Sequence, residues 1–439
     1  MAKPLGSNYW KLWTASAVSN FGDGVSTIAY PWLASAITRD PVQISLIAVA
    51  TRLPWLIFTL PAGVITDRVD RRKIMVVMDG FRFLLTITVA FVVLAGHEAL
   101  ASPTAIAAGT ATPPTHRGAW LALLYGTALA FGFAEVLRDN AAQTLMPAFV
   151  EPENLERANG RLWGAEMVMN SLVGPPIGGL IIAAAFSLPF FVDAGTFAFA
   201  AIGLTVISGS FRTEGAATGK IAWKTEIAEG VKWLWRHRLL RSMALILGVM
   251  NAMFSMALAT YVLFVQEILH LDAVRFGLLL TAGAIGGTIG SVVAPRLSKA
   301  IGSGTSLFLI LIGSGLTLAV TGITSSVGVV WVMFFVGSFL GVLWNVITVS
   351  LRQSIIPDRL LGRVNSVYRL FAWGMIPIGS LLGGVVVEVA TKLASRDIGL
   401  RMPFLLGAVV FTILFVLALP RLNTRQIELA RAEAEKPAS

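Results

Sequence analysis

The sequence predicts an all-α membrane protein with twelve transmembrane helices in two pseudo-symmetric six-helix bundles. Three observations predict it. Of 439 residues, 56% are hydrophobic and 13% charged, against roughly 25% charged in an ordinary soluble domain, which is too few to cover a water-soluble surface. Apolar runs long enough to span a bilayer recur twelve times along the chain. The two halves also repeat a set of short motifs in the same order.

A span needs about 20 apolar residues to cross a ~30 Å hydrocarbon core, and Gly, Pro or polar clusters mark its ends. The first run, Tyr9 to Ile37, follows eight residues that lack the charged, apolar, small-residue order of a cleaved signal peptide, so it is expected to be retained as a helix. Five more runs follow: Ile44 to Ile65, Ile74 to Ala95, Ala119 to Pro147, Arg161 to Ala185 and Pro189 to Ile207. Phe211 to Arg238 is the longest polar interruption. In it Trp223, Ile227, Val231 and Leu234 recur at helical spacing, which predicts an amphipathic helix either at the inner lipid interface or packed on the cytoplasmic ends of the bundle. The remaining runs are Leu239 to Gln266, Phe276 to Pro295, Ser306 to Thr324, Gly328 to Ile356, Val364 to Val389 and Met402 to Leu419. The expected organisation is therefore an N-terminal bundle over residues 1–210, a linker over 211–238, a C-terminal bundle over 239–420 and a tail over 421–439.

The 34 basic residues are distributed unevenly. Arg39, Arg117, Arg275, Lys392, Arg396 and Arg401 fall on one side, and Arg52, Arg82, Arg138, Arg352 and Arg369 fall inside spans. All the others lie on the side that holds both termini, which is therefore expected to be cytoplasmic. The net charge of +10 thus records orientation, and nucleic acid is not expected as a partner. Cysteine is absent, so disulfides and thiolate chemistry are excluded. His97, His116, His237 and His270 all lie in connecting stretches, which argues against a buried metal centre and against an intramembrane protease. Without a Gly-x-x-x-x-Gly-Lys phosphate loop a primary pump is disfavoured. The chain is not expected to be an enzyme or to hold a cofactor or metal.

The repeat is carried by three ordered matches. Gln143-Thr-Leu-Met-Pro147 pairs with Gln353-Ser-Ile-Ile-Pro357, Arg157-Ala-Asn159 with Arg363-Val-Asn365, and Gly174 with Gly178-Gly179 against Gly379 with Gly383-Gly384. Internal repeats of this size are a feature of transporter folds. Gly63-Val-Ile-Thr-Asp67-Arg68-Val-Asp-Arg71-Arg72 between spans two and three and Gly174-Pro175-Pro176-Ile-Gly178-Gly179 in span five complete the pattern. With these motifs the sequence resembles the major facilitator superfamily over essentially its whole length. The first motif resembles the family's signature loop, with Asp70 where a second glycine is usual, so the turn is expected to be tighter or differently capped. The second resembles the antiporter motif in part, with Asn170 where another glycine is usual. The Arg-x-Asn elements resemble the branch that contains enterobactin exporters and macrolide or tetracycline efflux pumps. The resemblance implies the major facilitator fold, and a cytoplasmic gate built from Gly63, Asp67, Arg68, Arg71 and Arg72, with Asp67 facing the start of span eleven near Leu361 and Gly362 and with Arg71 or Arg72 meeting Asp139.

A charge at mid-bilayer costs at least about 2.5 to 3.5 kcal/mol, so each needs a reason. At 1.5 Å per residue Asp23 lies ~20 Å along its helix and Arg52 ~14 Å deep in the next, level enough to pair. Asp23 then either exchanges a proton against Arg52 or a cationic substrate, or only locks two helices, and the flanking Gly22 and Gly24 indicate close packing. Glu135 is a second candidate for the proton; it shares a helical face with Arg138, which would lower the cost of both. Arg82 and Glu166 lie at the same cytoplasmic level. Gly174, Gly178 and Gly179 let a second backbone approach, and Pro175 and Pro176 bend the helix. Asn20, Asn251, Asn345, Arg369 and Trp373 are candidates either for substrate contact or for interhelical hydrogen bonds.

The expected function is secondary active transport by alternating access, with inward proton flow driving export of an amphipathic drug-like or siderophore-like molecule. The alternatives are a nutrient importer or facilitator of the same fold, and more remotely a receptor or scramblase. A small-molecule substrate, protons and the lipid bilayer are the expected partners of a monomer in a bacterial plasma membrane, with the proton gradient in place of any cofactor.

Overall fold

The computed structural model describes residues 5–209, 211 and 223–434. Among these residues every regular element is helical. The chain runs α1 (Ser7–Ile37), α2 (Pro41–Arg68), α3 (Arg71–Ala95), a short α4 (Pro103–Ala107), α5 (Arg117–Leu145), α6 (Leu155–Glu166), α7 (Gly174–Ala184) and α8 (Leu188–Thr205). It continues with α9 (Trp223–Arg236), α10 (Arg238–Ala259), α11 (Tyr261–Glu267), α12 (Ala273–Ile301), α13 (Ser303–Ile323), α14 (Val327–Ile355), α15 (Asp358–Leu393), α16 (Arg396–Ala418) and α17 (Thr424–Ala434).

Among the described residues eleven helical stretches are long and apolar enough to cross a membrane. The twelfth expected span, α1, is 31 residues long but is not among the eleven, because Ser16, Ser19, Asn20, Asp23 and Ser26 interrupt its apolar surface. Two expected spans are not continuous α-helix. Thr260, at φ −112° and ψ 13°, separates α10 from α11 within the seventh. In the fifth, a seven-residue π-helical stretch, Met167–Val173, joins α6 to α7.

The chain forms two compact units. The first comprises Met1–Thr218 together with Val265–Thr281, and the second Gly219–Phe264 with Ala282–Ser439. Inside the first, α1 packs along α8, α7 and the π stretch, α3 on α8 and α5, and α2 on α5. The second repeats the scheme, with α10 along α15, α13 on α16 and α14, and Gly286 of α12 against the Phe335 backbone of α14. The segment 265–281 is held in the first unit by named contacts. Arg39 donates to Gln266 and Glu267, Gln266 donates to the Ser35 hydroxyl at 2.8 Å, and Trp32 lies 6.2 Å from Phe276, ring to ring.

The repeated glycines hold equivalent positions. A Cβ added at Gly174 would lie 2.6 Å from Gly24 Cα, and one at Gly178 would lie 2.7 Å from the Val25 carbonyl oxygen. In the second unit a Cβ at Gly379 would lie 2.2 Å from the Ala252 carbonyl oxygen, and one at Gly383 would lie 2.2 Å from that of Met256. In both units the glycine row of one helix lies on the backbone of the unit's first spanning helix. Gly383→Ala is therefore expected to destabilise by about 1 to 3 kcal/mol, since backbone cannot yield as a side-chain tip can. Gly126→Ala in α5, where a Cβ meets nothing within 4 Å, is the control expected to be neutral or slightly stabilising. Thermal inactivation half-lives of the two variants in detergent measure the contrast, and equal half-lives would contradict the packing argument.

The linker helix α9 packs on α15 and α10 within the second unit. Glu229 pairs with Arg363, a Cβ at Gly230 would lie 2.8 Å from the Arg363 carbonyl oxygen, and Trp235 lies 6.1 Å from Phe371. Leu234 is buried and Val231 exposed. The side chains of Trp223 and Ile227, like residues 212–222, lie outside the described residues.

Candidate functional site: a buried charge cluster in the first unit

The helices of the first unit bring a set of ionisable side chains together inside the spans. Arg82 of α3 is 2% exposed and pairs with Asp23 of α1. Its other terminal nitrogen lies 3.4 Å from Asp79 Oδ1, one turn back on α3. The same Asp79 oxygen lies 3.5 Å from Arg138 Nε of α5, and Arg138 Nη1 lies 3.6 Å from Asp139 Oδ1. Ser19 and Ser16 of α1 accept from Arg82 and Arg138 at 3.5 and 3.4 Å. The Arg82 guanidinium lies over the Phe131 ring at 4.4 Å and the Phe197 ring at 4.0 Å, a cation–π arrangement that only a planar cation fills well. Glu135, half-buried on α5, acts electrostatically on Asp23, Arg82 and Asp139.

This arrangement corrects three expectations. Asp23 is paired with Arg82, not with Arg52, which is exposed. Depth along the helix was a fair guide to level, but α1 packs along α8 and α7 and scarcely touches α2, so Arg52 is on the wrong neighbour. Arg138 takes Asp79 and Asp139 as its partners, not Glu135. Asp139 in turn is occupied by Arg138 and not by Arg71 or Arg72. Those two cap helix ends instead: Arg71 donates to the Thr144 carbonyl at 2.9 Å and Arg72 to the Ile207 carbonyl at 2.5 Å. Both carbonyls lie at or just past a helix C-terminus, where a cation is favoured.

Two carboxyls of the cluster were missed. Asp79 and Asp193 have no exposed surface. Asp193 Oδ2 of α8 is hydrogen-bonded to the Ser26 hydroxyl of α1 at 2.5 Å. The signal was present for both: Asp79 and Arg82 are three apart on one helical face, and Asp193 is the lone acid of an apolar run. Accessibility differs within the cluster, since the Asp23 side chain keeps 24% of its surface while Asp79 keeps none. Asp23 is thus the more exposed of the two carboxyls that flank Arg82.

The signature loop is shaped by Asp70. It caps α3 by accepting from Lys73 N–H at 3.1 Å, and its other oxygen accepts from Phe211 N–H at 2.9 Å. Its φ of −59° needs no glycine. Burial alone would raise its pKa, but the Phe211 and Lys73 amides and the Arg72 charge hold the carboxyl below its ordinary value. Gly63 has open space where a Cβ would stand, Arg68 is exposed in the last turn of α2, and the Asp67 side chain lies outside the described residues. The glycine motif of span five presents two faces: Gly174 and Gly178 lie on α1, while a Cβ at Gly179 would lie 2.3 Å from the Ala273 carbonyl oxygen. Pro175 and Pro176 open α7 beside Gly277, whose added Cβ would lie 2.4 Å from the Pro175 carbonyl oxygen.

Of the polar cavity candidates, Asn20 donates to Ser16 of its own helix and Asn345 to Gly341 of its own. Asn251 joins α10 to α15 through the Ala372 carbonyl at 2.6 Å. Arg369 lies 5.3 Å over the exposed Trp373 ring. Among the described residues no group of acidic or histidine side chains could hold a metal ion.

The family described as transmembrane secretion effector, a division of the major facilitators, matches residues 3–437. The chain belongs to the major facilitator superfamily. This member is 29% identical over 438 residues to the multidrug efflux pump Tap of Mycobacterium tuberculosis, covering 96% of both chains. It is 27% identical to Tap of Mycolicibacterium fortuitum over 433 residues, 95% of this chain and 96% of the relative. The enterobactin exporter EntS of Citrobacter koseri is 24% identical over 398 residues, 88% of each chain. Among solved structures, a bacterial homologue of the lysosomal transporter Spinster superposes with a TM-score of 0.69 at 13% identity, covering 100% of both chains. A bacterial homologue of the iron transporter ferroportin gives 0.67 at 18% identity, covering 94% of this chain and 99% of the other. These two likenesses establish the fold. The facilitator is thus a multi-pass membrane transporter of small molecules, not an enzyme.

Proposed function

We propose that this facilitator is a proton-driven exporter of bulky amphipathic molecules, drug-like or siderophore-like, working by alternating access in a bacterial plasma membrane with both termini cytoplasmic. The observation that carries the reading is the cluster around Arg82. Asp23, Asp79, Glu135, Asp139 and Asp193 outnumber the guanidinium groups of Arg82 and Arg138. Buried charge that is not matched must be neutralised, and protons or a cationic substrate do so reversibly. Ionisable groups facing a bundle interior are the usual parts of a proton relay. The export direction is supported by the relatives, which are named as an efflux pump and an exporter.

The test is accumulation of macrolides, tetracyclines and catecholate siderophores in cells that express the protein, with and without a protonophore. Lower accumulation of at least one compound, abolished by the protonophore, is the expected result. Accumulation that rises on expression would replace export with import, and an effect indifferent to the protonophore would remove proton coupling.

A further inference from the structure

We propose that Asp193 is a second proton-binding carboxyl of this carrier, neutral while Arg82 is held by Asp23 and ionised when Arg82 turns to it. Asp193 has no exposed surface, and among the described residues no basic side chain lies within ion-pair distance of it. Its side-chain partners are hydroxyls. Ser26 Oγ lies 2.5 Å from Oδ2. Thr196 Oγ1 lies 3.5 Å from Oδ1 but donates its proton to the Asp193 carbonyl at 2.7 Å. A carboxylate inside a bilayer with one hydroxyl donor would be stranded, whereas a protonated Asp193 can donate to Ser26 and be satisfied. Gly22 makes the approach possible, since a Cβ there would stand 2.3 Å from Asp193 Oδ1 and 2.1 Å from Thr196 Oγ1.

The cation that can ionise Asp193 is already on the same helix face. Arg82 lies on the Phe197 ring, and Phe197 is one helical turn after Asp193 on α8. The titratable groups facing Asp193 are Asp23 and Tyr30 of α1 and Arg82 of α3. The adjoining α7 has no titratable residue, and α8 has no other. The exchange balances. A proton arriving on Asp23 neutralises that carboxylate, Arg82 crosses to Asp193, and the Asp193 O–H proton leaves through the Ser26 hydroxyl. One proton enters and one leaves, and the charge of the cluster is unchanged.

This inference deepens the proton-coupled reading but is tested without transport or substrate, so the two can fail separately. Infrared spectra of the purified carrier in lipid nanodiscs, at neutral pH in H2O and D2O, would detect a protonated carboxyl by its deuterium-sensitive C=O stretch. The band is expected in the wild type, and the component that belongs to Asp193 is expected to be missing from it in Asp193→Asn. The same component is expected to be lost in Asp23→Asn, because Arg82 is then free to ionise Asp193. A wild type without the band, or an Asp193→Asn that keeps that component, would overturn the proposal. So would an Asp23→Asn that keeps it, since Asp193 would then be a permanently neutral packing group. Should Asp193→Asn not fold, Ser26→Ala takes its place. Loss of the hydrogen bond is expected to shift the band to higher frequency, and an unmoved band would count against Asp193.

Discussion

Arg82→Gln is expected to be the most damaging single substitution in the first unit. It removes the cation shared by Asp23 and Asp79 and empties the place between Phe131 and Phe197. Removing one partner of a buried pair costs about 3 to 5 kcal/mol, because the other charge is left uncompensated. Arg82→Lys is expected to rescue little, since an ammonium neither lies flat between two rings nor reaches two carboxylates as a fork does. The double variant Arg82→Gln/Asp23→Asn is expected to recover part of the loss, because Asp23 is the carboxylate left without a cation, while Asp79 keeps Arg138. Thermal inactivation half-lives measure all three, the appropriate quantity where unfolding is irreversible. A lysine variant as stable as wild type would show that only net charge matters at this position.

Asp23→Asn is expected to have the largest effect on transport with the smallest effect on folding. The amide keeps the size of the side chain, and Arg82 retains Asp79 as a partner. Protonophore-sensitive efflux should fall by roughly tenfold or more, equivalent to about 1.4 kcal/mol or more per transport step. Substrate exchange without a proton gradient should persist, and the pH dependence of efflux should flatten. Reconstituted vesicles with an imposed pH gradient distinguish the outcomes. Loss of both net efflux and exchange would assign Asp23 to substrate binding, and unchanged proton-driven efflux would remove it from the mechanism.

Much of this was legible in the sequence, and the illegible part has a common cause. Apolar run length placed the spans, and the glycines of span five pointed to close backbone approach there, because helix length and small-residue spacing are local properties; the same approach at Gly379 and Gly383 emerged only with the structure. The turn at Asp70 could be anticipated as differently capped because N-capping is read from a few residues. The partner of Asp23 could not be read this way. Rise per residue gives depth, but which helix lies beside α1, and which way Asp23 faces, is set by packing among α1, α3, α7 and α8. Asp79 was passed over because it lies close to the basic cluster that opens α3, where an acid looks like part of a solvated end, although its side chain has no exposed surface.

The π-helical stretch of the fifth span carries a record of descent. Seventeen positions separate Arg157 from Gly174, but sixteen separate Arg363 from Gly379. One surplus residue in an α-helix would turn everything on one side of it by about 100°, and the arginine and glycine elements could not then face alike in both halves. A π turn absorbs a surplus residue as a bulge, and Met167–Val173 lies between the two elements, whereas the same interval in α15 is plain α-helix. The bulge also sets the Met169 and Asn170 carbonyls against Gly24, where an added Cβ would lie 2.9 and 2.5 Å from them, next to Asp23. If the halves arose from one duplicated ancestor, a one-residue difference in length between these two elements is taken up at the place where span five meets the acid-bearing helix.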